Sequence, residues 1–220
     1  MIATRVALAV ITACAALVGG CTTSIFDSEA PIPMNYVLRP VKSAAASVAH
    51  TAVDVTIDRP VAAPGLDTDR IGVLRGHQLD YYRAVKWGSP APEIMQTLFV
   101  DSLEDQHVFR SVTREQSRVA SDYVLDVQLR DFQSEYAEGS SIPTIHISAV
   151  VRVVRVPDRR LVTTVTAESK VPASEDRMGA VAAAFETAGN AIALDVLNQI
   201  APALAADAPL LASARGQKYP

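Results

Sequence analysis

The stretch from Asp69 to Val112 constrains the fold most, because a strand-like hydrophobic period changes there into a helical one. Its first apolar run contains Ile71, Val73 and Leu74, and residues 75–78 (RGHQ) predict a turn. From Leu79 to Trp87 alternate side chains are predicted to share one face, namely Leu79, Tyr81, Val85 and Trp87, with Asp80, Tyr82 and Lys86 opposite. This period of two is typical of a half-buried strand.

A helix is predicted immediately after the break at residues 88–90 (GSP). Ser89 is the predicted N-cap, and Pro90 suits the first turn because its missing N–H is not needed there. Apolar residues then recur at helical spacing, at Ile94, Met95, Leu98, Phe99 and Leu103. We expect the neighbouring Trp and Tyr side chains to pack in the core, with a ligand surface as the alternative.

This order of elements resembles a known family. The run DRIGVLRGHQLDYYRAVKWGSPAPEIMQTLFVDSL resembles the central signature of the ABC-type transport auxiliary lipoproteins, the paraquat-inducible protein C-like family, and the resemblance extends from Tyr36 to about Ala201. It rests on an Arg-Ile strand, a Tyr-Tyr pair, a Trp, and a Pro-containing break before a Leu-rich helix. Gly88 departs from the pattern, because Ala is expected after the Trp.

The resemblance implies a role in intermembrane lipid transport without an enzymatic activity. It implies three partners: an inner-membrane ABC permease, its ATPase, and a periplasm-spanning mammalian-cell-entry domain protein. The lipoprotein would dock this transport machinery at the outer membrane, and a homo-oligomer is left open.

The N-terminus has the features of a lipoprotein signal peptide, residues 1–20. Arg5 supplies a positive charge, and Val6–Leu17 is a twelve-residue apolar run, too short to span a bilayer. Small residues precede Cys21, the predicted lipidation site; an ordinary signal peptide with an incidental Cys is the alternative. Thr22 after the Cys, instead of Asp, favours the outer membrane, so we expect a lipid-anchored protein on its periplasmic face.

Cleavage before Cys21 would leave that residue as the only cysteine, so no disulfide is expected. The mature chain would carry 19 basic and 24 acidic side chains, a net charge of −5, which argues against a nucleic-acid partner. We predict a lipidated tether over residues 21–34, one domain over residues 35–203, and a disordered tail over residues 204–220.

The rest of the chain predicts an α+β fold: a mixed or antiparallel sheet with two amphipathic helices packed on one face. Alternation predicts strands over Ala52–Asp58 and Asp122–Phe132, and further strands over Ile145–Val156 and Leu161–Ser169. Short strand character is also predicted at residues 36–38, and an Ala-rich linker at Val41–Ala49. The last helix is predicted to be capped by Ser174 and to end before Pro202.

No catalytic residue, metal site or cofactor is predicted. The four histidines do not occur at metal-ligand spacing, and the G-x-S-x-G, G-x-G-x-x-G and phosphate-loop motifs are absent. Partner contacts are instead predicted in two loops, residues 133–143 and 157–160, because loops carry binding residues when strands and helices face the core. The predicted contact residues are Gln133, Ser134, Tyr136, Ser140, Ser141, Arg159 and Arg160.

Two functional alternatives are left open by the sequence. One is an outer-membrane assembly or lipopolysaccharide-export lipoprotein. The other is a periplasmic hydrolase, which would need an acid and a base paired in a pocket. The Arg residues around the turn at 157–160 have a bland alternative as well, a solvated edge protected against aggregation.

Overall fold

A mixed sheet of nine strands carries two helices, which confirms the predicted α+β class. The computed structural model describes residues 32–40, 48–211 and 213. The helices are α1 (Ala91–Asp105) and α2 (Met178–Asp207). The strands are β1 (Met34–Tyr36), β2 (Thr51–Ile57), β3 (Val61–Ala62), β4 (Arg70–Arg75), β5 (Gln78–Trp87), β6 (Phe109–Arg114), β7 (Tyr123–Tyr136), β8 (Thr144–Arg155) and β9 (Arg160–Pro172).

The 14-residue strand β7 is central to the sheet. Along one edge it pairs with β8, and β8 pairs with β9, so the three strands predicted after residue 121 form an antiparallel meander. Along its other edge β7 pairs in parallel with three shorter strands in succession: β2, β3 and β4. The sheet is completed by β6 beside β2, β5 beside β4, and β1 beside β5.

The core lies between the helices and the sheet face that they cover. The predicted inward positions are confirmed: Val53, Val55 and Ile57 of β2 are at most 1% exposed. The alternating residues of β8 from Ile145 to Val153 are fully buried as well. Trp87 is central to this core, edge-on to Phe132 of β7 at 5.9 Å and to Phe185 of α2 at 5.0 Å. The core-packing interpretation of Trp87 is therefore correct.

Strand β5 does not keep one alternation throughout, because Ala84 adopts a left-handed backbone conformation with φ of 56°. The pairing of β4 with β5 shifts register in this region. As a result Tyr82 bonds to Ser134 and Tyr136 on the helix-covered side, which is also the side of Trp87. The prediction that Tyr81 and Trp87 share a face is wrong, because a bulge changes the alternation between them.

The predicted caps of both helices are wrong, although the helices and their buried stripes are correct. Pro90 is the N-cap of α1 and has extended backbone angles, so Ser89 precedes the cap. The amide of Ala91 donates instead to the carbonyl of Thr68, at 3.1 Å. In α2 the N-cap is Arg177, and Ser174 lies three residues before it, too early to cap the first turn.

Helix α2 continues past Pro202 to Asp207, beyond the predicted end. An interior proline costs about 3 kcal/mol in an isolated helix. Here Ala201 and Leu204 are fully buried, and Asp207 accepts hydrogen bonds from Tyr123 and Arg155, so tertiary contacts outweigh that cost. Residues 204–211 therefore do not form a disordered tail. Residues 212 and 214–220 lie outside the described residues.

The segment Met178–Leu210 is long and apolar enough to cross a membrane by length and composition, with a mean hydropathy of 1.4. However, 61% of an apolar 18-residue stretch of this segment is buried within the protein. This burial is typical of a core helix and agrees with the predicted packing on the sheet.

The N-terminal predictions are tested only in part. Strand β1 begins at Met34, inside the predicted tether, and ends at Tyr36, two residues before the predicted end. Leu38 is buried nevertheless. The two-residue strand β3 lies between β2 and β4. The signal peptide, Cys21 and the linker at 41–47 lie outside the described residues.

Candidate functional site

Two of the predicted contact residues are buried. Gln133 and Ser134 belong to β7, which continues four residues past Phe132, and they are 4% and 0% exposed. Ser134 donates a hydrogen bond to the carbonyl of Gly72, at 3.0 Å. The loop predicted to begin at residue 133 therefore begins only after the end of β7 at Tyr136. Gln133 and Ser134 are excluded as partner contacts, because pairing with both β4 and β8 places them inside the sheet.

Tyr136 ends β7 and is half-buried in a hydrogen-bonded network. Its hydroxyl lies 2.6 Å from Asp176 and 3.0 Å from the hydroxyl of Tyr82, and the guanidinium of Arg75 stacks over its ring at 4.2 Å. Burial, together with these hydrogen bonds, raises the pKa of the Tyr136 hydroxyl. The network joins β5 and β7 to the approach to α2, so Tyr136 has a structural role.

The remaining predicted contact residues are exposed, but they lie far apart. Ser140 and Ser141 are in the turn between β7 and β8, whereas Arg159 and Arg160 are at the turn between β8 and β9. The two turns are at opposite ends of β8, whose 12 residues span about 40 Å. The structure therefore presents two separate loop surfaces.

Arg155 does not contribute to a basic patch at the second turn. Its side chain is 4% exposed and is bound by Asp158 at 2.6 Å and by Asp207 at 3.1 Å. The hydrogen bond from Arg155 lowers the pKa of Asp158 below its usual value. Arg155 therefore links the turn to the end of α2, and the exposed basic groups there are Arg159 and Arg160.

A polar cluster occupies the side of the meander that faces away from the core. His146 of β8 is at its centre, with Nδ1 2.7 Å from Oε1 of Glu135 and Nε2 3.8 Å from Oδ2 of Asp131. One ligand atom from each of these three residues lies within 4.8 Å of the others. In residues 32–40, 48–211 and 213, this is the one such group of three or more His, Cys, Asp and Glu side chains.

Neighbouring side chains hold the two carboxylates of the cluster in place. The amide of Gln133 donates to Oδ1 of Asp131 at 3.0 Å and to Oε1 of Glu135 at 3.1 Å. Ser148 donates to Oδ2 of Asp131. Burial acts to raise the pKa of Asp131, but the hydrogen bonds from Ser148 and Gln133 and the charges of His146 and Lys170 together lower it.

Sequence spacing gives no signal for this cluster, because it is assembled by cross-strand pairing. Gln133 pairs with His146, and Asp131 pairs with Ser148, after a register shift near residue 130. Asp131 and Glu135 are therefore the two diagonal neighbours of His146 on one face. A prediction of a hairpin centred on residues 139–140 would have given this register. The loop predicted at 133–143 instead placed Gln133 and Glu135 outside the strand.

Two surface clefts accompany these features. One has a volume of about 370 Å³ and is lined by Glu135, Tyr136, Thr144 and Lys170 among others, so it adjoins the cluster. The other has a volume of about 250 Å³ and lies between β1 and the start of α1. It is lined by residues 36–38 together with Gly88, Ser89, Ile94 and Thr97.

Comparisons with known proteins identify relatives over most of the chain. The family model for the ABC-type transport auxiliary lipoprotein component matches residues 36–197. XCC0632 from Xanthomonas campestris, a DUF330 protein, is 26% identical, with a TM-score of 0.73 over 80% of this chain and 99% of that chain. An uncharacterized protein is 13% identical, with a TM-score of 0.61 over 77% of this chain and 99% of that chain. No curated protein matches.

Proposed function

Because the chain belongs to the ABC-type transport auxiliary lipoprotein family, we propose that it is a non-enzymatic accessory subunit of an intermembrane lipid transport system. In this proposal Cys21 is acylated and anchors the protein in the outer membrane, facing the periplasm. The folded domain docks a mammalian-cell-entry domain protein, which connects it to an ABC permease and ATPase. The family match over residues 36–197 is the observation that carries the proposal.

The predicted tether supports a docking role on physical grounds. If residues 22–33 form the tether that the sequence predicts, a flexible chain of a dozen residues would span about 20 Å on average, so the domain would stay close to its membrane. Tethering raises the local concentration of any partner that reaches the same membrane. Modest contacts through exposed turns are then sufficient for capture, without a large apolar interface.

The two exposed turns of the meander are the proposed contact surfaces. The first contains Ser140 and Ser141, and Ile142 beside them is 42% exposed. The second contains Arg159 and Arg160, and the adjoining Leu161 is 53% exposed. Exposed apolar side chains beside polar or charged ones are suited to a partner surface.

Affinity capture from solubilised envelopes tests this proposal. The tagged full chain should recover a mammalian-cell-entry domain protein together with a permease and an ATPase. Replacement of both Ser140 and Ser141 by Glu, or charge reversal of both Arg159 and Arg160, should reduce that recovery several-fold without unfolding the protein. Charge reversal of Arg83 and Arg118, two exposed residues outside both turns, is the matched control.

Other outcomes of the same capture would favour the alternatives. Recovery of only outer-membrane assembly or lipopolysaccharide-export proteins would replace the transport role with the rival lipoprotein role. Hydrolysis of lipid or peptidoglycan substrates by the purified protein would contradict the non-enzymatic role. Sedimentation of the detergent-solubilised chain measures whether it works as a homo-oligomer.

A further inference from the structure

We propose that Asp131, Glu135 and His146 form a binding site for a divalent cation of the zinc class. The site would lie on the side of the β7–β8 hairpin that faces away from the helices. This inference revises the expectation, drawn from sequence spacing, that the chain has no metal site. It does not depend on the proposed transport role.

The geometry supplies three convergent ligands from two paired strands. The ligand atoms of the three side chains lie within 4.8 Å of one another. A zinc ion bound at about 2.0–2.2 Å from each ligand atom requires those atoms to be roughly 3.3 Å apart. Only one ring nitrogen can bind the ion. Nδ1 lies 2.7 Å from Oε1 of Glu135, whereas the 3.8 Å contact of Asp131 is to Nε2, so Asp131 must rotate toward Nδ1 to complete the site.

The charges of the cluster suit a divalent cation. Glu168 is the third carboxylate near His146, but Lys170 forms an ion pair with it at 2.9 Å. Asp131 and Glu135 then contribute two negative charges beside the imidazole. A cation of charge +2 would neutralise them in a partly desolvated place, where uncompensated charge is costly.

The imidazole of His146 lies between carboxylates. Its side chain is 13% exposed, with Nδ1 2.7 Å from Oε1 of Glu135 and Nε2 3.0 Å from Oε1 of Glu168. Each ring nitrogen therefore faces a carboxylate. When one nitrogen of a histidine binds a metal, the other usually donates its N–H to a carboxylate, which orients the ring. If Nδ1 binds the ion together with Glu135 and Asp131, Glu168 is placed to accept the N–H of Nε2.

The donor set discriminates between cations. One imidazole and two carboxylates match the mixed nitrogen and oxygen ligands of Zn²⁺, whereas Ca²⁺ and Mg²⁺ prefer oxygen ligands alone. Gln133 and Ser148 donate hydrogen bonds to the carboxylates, as the residues that surround the ligands do in metal sites. The cleft of about 370 Å³ that includes Glu135 and Lys170 gives the ion a path from solvent.

The test is titration of the full chain, purified in detergent and freed of metal with a chelator, with Zn²⁺ at pH 7. Calorimetry should give one site per chain, and thermal unfolding should shift upward when the site is filled. His146→Gln should weaken binding by at least about tenfold, because even loss of an outer partner typically costs about 10–100-fold. His77→Gln, at an exposed position in the β4–β5 turn, is the matched control and should bind normally.

Each other outcome overturns the proposal. An absence of zinc binding by the folded wild-type chain at micromolar concentrations would do so regardless of any variant. Binding that His146→Gln leaves intact, or that His77→Gln weakens equally, would place the ion elsewhere. Asp131→Asn keeps the side-chain volume, so it provides a second folded variant if His146→Gln misfolds. Unchanged affinity in Asp131→Asn would also contradict the site.

Discussion

At the residue scale, Arg155 and Arg159 show that tertiary contacts bury one arginine and leave a neighbouring one exposed. Both belong to the short basic stretch around the β8–β9 turn. Arg155 is buried between Asp158 and Asp207, whereas Arg159 is exposed with a left-handed backbone, φ of 55°. A buried charge loses much of its solvation, so burial of the Arg155 guanidinium requires both of its acidic partners. Only the exposed members of the stretch are available to a partner.

The hydrogen bond from Arg155 to Asp158 predicts a pH dependence of stability. It lowers the folded-state pKa of Asp158 below the usual value of an aspartate side chain. The unfolded chain therefore binds more protons in this window, and the contribution is present above about pH 4 and lost as the pH falls through the folded-state pKa. We expect the stability difference between wild type and Asp158→Asn to shrink from pH 6 to pH 3.

Urea denaturation at a series of pH values measures this effect. Ser141→Ala, an uncharged substitution at an exposed position, is the control and should follow the wild-type pH dependence because it removes no titratable group. A constant difference between wild type and Asp158→Asn across the same range would contradict the prediction. The variant removes only the carboxyl group of Asp158, so the difference between the two proteins reports that group and its contact with Arg155.

Helix α2 is held at both ends and along its length by different elements. Near its start Asp176 accepts a hydrogen bond from Tyr136, and at its end Asp207 binds Tyr123 and Arg155. Between them Gly189 lets α1 approach closely, because an added Cβ would stand 2.7 Å from Cδ1 of Leu98. Leu98 is fully buried and packed, so it has little room to move.

The two glycines of α2 provide a matched prediction at the element scale. Gly189→Ala should lower the free energy of unfolding by about 1–2 kcal/mol, because overpacking in a core typically costs about 1–3 kcal/mol and exceeds the gain in helix propensity. Gly179→Ala, where an added Cβ meets nothing within 4 Å, should raise it by up to about 1 kcal/mol. Equal stabilisation by both substitutions, measured by urea denaturation, would mean that Leu98 moves aside without cost.

At the scale of the whole molecule, β7 pairs with strands from most of the described chain. One edge of β7 pairs with β2, β3 and β4 in succession, and the other edge pairs with β8. The buried core correspondingly extends from Leu38 to Leu211. The domain therefore holds its fold through contacts among residues between Leu38 and Leu211.

Attachment is predicted to depend on Cys21 alone. Cys21→Ala should release a folded protein into the soluble periplasmic fraction, because a single acyl chain binds membranes marginally and several bind firmly. Cys14→Ala, within the predicted signal peptide, is the control and should remain membrane-bound. Metabolic labelling with palmitate and cell fractionation measure the outcome. Palmitate that persists on Cys21→Ala would contradict the lipidation site.

Hydrophobic periodicity by itself determined much of this protein. The strands at β2, β7 and β8 and the buried stripes of α1 and α2 follow directly from it, because an apolar face must be covered whatever it packs against. The family resemblance also follows from short local motifs in the sequence.

The structure at positions that depend on partners distant in the chain could not be predicted from the sequence. The cap of α1 depends on Thr68, the continuation of α2 past Pro202 depends on Asp207, and the burial of Ser134 depends on β4. The cluster at His146 depends on the register of one hairpin, since a shift of one residue would move its members to the opposite face.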